Sequence, residues 1–148
     1  MDADDTTSTP ATEADQVLAL MRESMGALNE RMGVELLEAT PERVVATMPV
    51  AGNTQPYGLL HGGASVVLAE TLGSIGAGLH GAPDRQAVGV DINATHHRAA
   101  RSGIVTGVAT PLHLGRSMAS YDVVVTDEDD RRVCTARITC TLVERGRF

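Results

Sequence analysis

From Gly62 to Leu79 the chain reads GGASVVLAETLGSIGAGL, an apolar run interrupted by one carboxylate, Glu70. Its length, with Gly81 and Pro83 behind it, predicts a helix of ~27 Å. Such a helix is apolar nearly all round and must be covered on most sides. A lone charge within it is costly to bury. Upstream, Val17, Leu18, Leu20, Met21, Met25 and Leu28 recur near helical spacing, which predicts a second helix over 14–29. Residues 33–50 read as two short strands around Pro41, and NTQPYGLL after them as a loop.

The C-terminal half changes period. Val88, Val90 and Ile92 alternate with Gly89, Asp91 and Asn93. GIVTGVATPLHLG follows, then a strand carrying Tyr121, Val123 and Val125. After the acidic turn DEDDRR, the series Cys134, Ala136, Ile138, Cys140, Leu142 alternates with Val133, Thr135, Arg137, Thr139, Thr141. Strands joined by short turns predict an antiparallel sheet. The expected architecture is α+β, a curved antiparallel sheet wrapped around a long central helix. It forms one domain over 13–148, preceded by a disordered acidic tail, 1–12. The sheet covers one side of the helix, and a second copy of the chain is the simplest cover for the rest.

Composition refines this picture. With two Tyr, one Phe and no Trp, small side chains must fill the core. The net charge is −7, but Asp2, Asp4, Asp5, Glu13 and Asp15 hold five of those charges, leaving −2 for the body. A near-neutral body argues against nucleic acid as a partner. All twelve basic residues are Arg, so an Arg at any one place says less than usual about anion recognition. Cys134 and Cys140 share one strand face at ~20 Å separation, beyond disulfide reach, as expected in a reducing compartment. An acidic, polar N-terminus predicts no signal peptide. Glu70, the glycines and the lack of cationic flanks argue against a membrane span. A cytoplasmic placement is expected.

Three strings carry the chemistry: QPYGLLHGGASVVLAETLGS, VGVDINATHHRAARSG and HLGRS. On them the chain resembles the hotdog-fold acyl-CoA thioesterases of the phenylacetate and hydroxybenzoyl-CoA type. It is most similar to the 1,4-dihydroxy-2-naphthoyl-CoA and other aryl-CoA thioesterases, from about residue 30 to 143. The resemblance implies hydrolysis of an acyl-CoA, with an aryl acyl group, to free acid and CoA. It implies no cofactor beyond the CoA of the substrate, and self-association into dimers and dimers of dimers. Glu70 would be nucleophile or general base, and the Gly62 N–H an oxyanion donor. Gln55 would contact the substrate carbonyl, His61 would position loop and substrate, and Ser74 would orient the attacking water. Gly89, His96, His97, Arg98, Arg101, His113, Gly115, Arg116 and Ser117 would line the CoA groove, with Gly115 letting the backbone approach the pantetheine arm.

Spacing tests this assignment. Gly62 opens the helix, so its N–H is unpaired and at the positive end of the dipole. Glu70 lies eight residues on, ~12 Å along the same helix. One helix cannot bring both to one carbonyl, but two antiparallel copies can.

Each residue also has a plainer use. Glu70 could pair with an Arg at a subunit seam, Ser74 could permit close helix packing, His61 could cap the helix, Gln55 could brace its loop, and the arginines could form a solvated rim. His96 and His97 are adjacent on a strand and point to opposite faces, so a metal site is not expected. The acidic tip 127–130 reads as a solvated turn. A non-catalytic acyl-CoA-binding hotdog module and a hotdog dehydratase or hydratase are the alternatives.

Overall fold

The computed structural model of the protein describes residues 12–147. Thr12, read above as tail, instead caps the first helix. Its hydroxyl accepts the Asp15 N–H at 3.2 Å, and its own N–H donates to the Asp15 carboxylate at 2.9 Å. The rest of the acidic tail lies outside the described residues.

The expected helix over 14–29 is two helices, α1 (Glu13–Arg22) and α2 (Ala27–Met32). Gly26 separates them with φ 81°, a left-handed value that no helix interior accommodates. Strands β1 (Glu35–Ala39) and β2 (Val44–Pro49) flank Pro41 as the pattern requires. Then come α3 (Gly62–Gly81), β3 (Arg85–His96), β4 (Ile104–Leu114), β5 (Met118–Thr126) and β6 (Arg132–Glu144). Among the described residues the strands form one antiparallel sheet in the order β1-β2-β4-β5-β6-β3.

The helix α3 lies across this sheet, against β2 to β6. The alternation in β5 and β6 is realised: Ala119, Tyr121, Val123 and Val125, then Cys134, Ala136, Ile138, Cys140 and Leu142, are buried beneath the helix. With few rings available, contact is made by sinking side chains into glycines. A Cβ on Gly73 would collide with Ile138, and one on Gly76 would lie 2.6 Å from Cζ of Tyr121. Both cysteines are buried and free.

One chain covers the helix on one side. Leu68, Leu72 and Gly76 are buried, whereas Val66, Val67, Thr71, Ser74 and Ile75 are half-covered. Glu70 is exposed, because it sits roughly 200° round the helix from both Leu68 and Leu72. One expectation needs correction: the simple alternation in β3 fails. The pairing with β6 skips a residue between Gly89 and Asp91, so Val90 bulges out and is 61% exposed. Beyond the bulge the faces exchange. Gly89 pairs with inward Cys140 and Ile92 with inward Ile138, while Val88 pairs with Thr141 on the outer face.

Candidate active site

Three close approaches fix how α3 lies on the edge strand. A Cβ on Gly62 would be 2.8 Å from Nε2 of His96, one on Gly89 would be 3.0 Å from Oε1 of Glu70, and one on Gly81 would be 3.2 Å from Cβ of Arg85. Helix and strand therefore run antiparallel, and the candidate residues fall into two groups along them.

The first group gathers at the N-terminus of α3. His61 is the N-cap: its Nδ1 accepts the Gly63 N–H at 2.8 Å, and its carbonyl accepts Ala64 N–H at 2.9 Å. A ring accepting through Nδ1 carries its proton on Nε2. The cap serves Gly63 and leaves the Gly62 N–H without an acceptor among the described residues. Gln55 is held by its own loop. Its side-chain oxygen accepts the Tyr57 N–H, and its backbone N–H donates to Leu59 at 2.8 Å. With the oxygen engaged, the Gln55 amide nitrogen is left as the group's donor. Gln55, Gly62, His96, His97 and Arg98 line one cavity of 380 Å³. His96 and His97 diverge as expected: His96 rests against Gly62, and Nε2 of His97 lies 3.0 Å from the Thr135 hydroxyl. Beyond them Arg98 and Arg101 face Arg131 and the acidic tip across a second polar cavity.

The second group lies further along α3. Glu70 and Ser74 share a 310 Å³ cavity with residues of α1, α2 and the turn between them, and Glu70 also faces a smaller cavity under Gly89 and Ile92. Among the described residues no cation lies within ion-pair distance of Glu70. A Glu70–Arg pair within the chain is thus ruled out as the reason for this carboxylate. The Ser74 hydroxyl is 3.9 Å from Sγ of Cys140. Burial pushes the Cys140 thiol up; a hydrogen bond with Ser74 opposes this, and the Glu70 charge adds to it. Cys140 is thus harder to ionise than a free thiol.

His113, Gly115, Arg116 and Ser117 form the far end of this half, at the β4–β5 turn. Every carbonyl of that turn is tied inward. Gly115 C=O contacts Nε2 of His80 at 2.9 Å, Arg116 C=O accepts from Arg85 at 2.6 Å, and Ser117 C=O accepts from Leu142 N–H at 2.8 Å. The space that a Gly115 Cβ would need is filled by the His113 ring and the Met118 carbonyl. Within the chain, that is what requires a glycine there.

One chain does not unite the two groups. Arg98 and Arg101 precede β4, whereas His113 to Ser117 lie at and just beyond its end, about 33 Å away along an 11-residue strand. The residues that the sequence reading passed over are Met21, Met25, Asn29 and Thr71, which wall the Glu70 cavity. Their periodicity marked Met21 and Met25 only as helix core, and nothing in spacing brings residue 29 to residue 71.

This fold and this division of polar groups belong to one class. Residues 57–134 match the thioesterase superfamily, and the chain is a member of it: a thioester hydrolase with the hotdog fold. It is 46% identical over 126 residues to the proofreading thioesterase EntH of Cronobacter turicensis, covering 84% of this chain and 92% of that one. A thioesterase structure from Haemophilus influenzae superimposes with a TM-score of 0.80 at 34% identity, covering 91% of this chain and 93% of that one. A mutant thioesterase structure from Pseudomonas aeruginosa gives 0.78 at 37%, covering 93% and 97%.

Proposed function

We propose that the protein hydrolyses acyl-CoA thioesters, aryl-CoA among them, at two sites shared between two copies of the chain. The observation that carries this reading is unspent polar capacity in two separated places. Among the described residues, Glu70 is a carboxylate without a cation, and Gly62 is a helix-opening N–H without an acceptor.

A two-fold partner joins them. The strand β3 is a 12-residue sheet edge, and an uncovered edge of that length is a template for a second chain. Because α3 runs antiparallel to β3, pairing two copies of β3 lays the two α3 helices antiparallel as well. Gly62 sits by His96 and Glu70 by Gly89. Glu70 of one copy meets Gly62 of the other when His96 of one lies opposite Gly89 of the other. That register places the two-fold axis between Ile92 and Asn93. The same pairing covers the exposed face of α3 and brings the arginines of one copy toward the β4–β5 turn of the other, where a CoA would lie.

The thioester carbonyl oxygen then sits between the Gly62 N–H and the Gln55 amide, an oxyanion hole at a helix N-terminus. Glu70 of the other copy takes a proton from a water, with Ser74 one turn away to orient it. The water oxygen bonds to the carbonyl carbon. The tetrahedral intermediate expels the CoA sulfur, which receives the proton from Glu70, leaving free acid and free thiol. Glu70→Gln should lower thiol release from benzoyl-CoA by about 100-fold or more, with CoA binding retained. Equal rates for wild type and variant would overturn the assignment. Binding without hydrolysis in the wild type would favour a non-catalytic acyl-CoA-binding module.

A further inference from the structure

The cavity beside Glu70 has a wall that the catalytic reading does not use. Met21, Ser24, Met25 and Asn29, from α1, α2 and the turn between them, face Thr71 and Ile75 of α3 across 310 Å³, the size of a small-molecule site. The polar residues of this wall are tied to one another and to the backbone. The Thr71 hydroxyl donates to the Asn29 side-chain oxygen at 2.9 Å. The Asn29 amide nitrogen donates to the Met25 carbonyl at 2.8 Å, and the Ser24 hydroxyl lies 3.3 Å from the Leu20 carbonyl and 3.4 Å from that of Met21. Met21, Met25 and Ile75 supply the apolar part of the lining. The same bonds hold the wall in place. Asn29 latches α2 to α3, and Arg22 fastens α1 to β1 through the Leu36 carbonyl at 2.7 Å.

We propose that this α1–α2 arm is the far wall of the acyl pocket, and that Met21 and Met25 set the size of the group accepted. The inference rests on Glu70 marking the reacting carbonyl. Methionine is unbranched and adapts to irregular shapes, so the native pocket accepts both flat rings and short chains. Truncating either methionine lengthens the pocket away from Glu70, leaving the catalytic groups in place.

The test is the profile of kcat/KM over straight-chain acyl-CoAs of increasing length, with benzoyl-CoA beside them. Wild type, Met21→Ala, Met25→Ala and Met21→Phe are compared, and Leu28→Ala, exposed on α2, is the control. The alanine variants should raise the ratio of long to short chains about tenfold. Met21→Phe should lower that ratio, and Leu28→Ala should leave it unchanged. An unchanged length profile in all three methionine variants would overturn the proposal while leaving the catalytic reading standing. A wild type that releases no thiol from any of these thioesters would remove both.

Discussion

A methyl group on Gly89 would press on the Glu70 carboxylate, which a Cβ there approaches to 3.0 Å. Gly89→Ala should therefore displace the proposed base without touching the core. We expect kcat on benzoyl-CoA to fall about tenfold or more, since small misplacements of a catalytic group are costly, with thermal stability nearly unchanged. Gln55→Ala removes the proposed second oxyanion donor and should cost about 100-fold in kcat; a loss confined to KM would assign Gln55 to binding alone. At this scale the sequence was informative where chemistry is local. The helix-opening position of Gly62 and the cap at His61 follow from HGG preceding an apolar run. The contact between Gly89 and Glu70 was not legible. It depends on a bulge at Val90, and a bulge leaves no mark in an alternating pattern.

The central element, α3, is held by interlocking rather than by bulk. Gly73 receives Ile138 and Gly76 receives Tyr121. Gly76→Ala should destabilise by about 1–3 kcal/mol through overpacking, read as a lowered denaturant midpoint. Tyr121 adds a pH signature. Its hydroxyl donates to the Pro41 carbonyl at 2.7 Å. Burial, then the Glu42 and Cys140 charges, push its pKa from 10.0 up to about 12. The folded value lies above the unfolded one, so the stabilisation is complete below pH 10.0 and is lost as pH rises toward about 12. Denaturant midpoints taken through that window should decline for wild type and less for Tyr121→Phe. The strands β5 and β6 were legible because each presents one buried face. The helix over 14–29 was misread as continuous. Its apolar spacing carries through Met25, whereas the chain turns over 23–26 and α2 opens at Gly26 with positive φ. The apolarity of α3 was read as demanding more cover than the sheet gives, and one stripe of it is left open within the chain.

At the scale of the whole molecule, that open stripe and the bare β3 edge are adjacent, and pairing two copies covers both. Sedimentation should give an even multiple of the 15.5 kDa chain mass. The proposed pairing would account together for the open stripe, the lone carboxylate and the helix-opening N–H, each copy supplying half of each site. The most direct measurement uses two inactive parents, Glu70→Ala and Gln55→Ala, co-expressed with different tags and purified as the mixed dimer. A shared site leaves one of two centres fully intact, so the mixed dimer should recover roughly half of wild-type thiol release. If each chain carried a complete site of its own, both centres would be damaged. A mixed dimer as inactive as its parents would contradict the account.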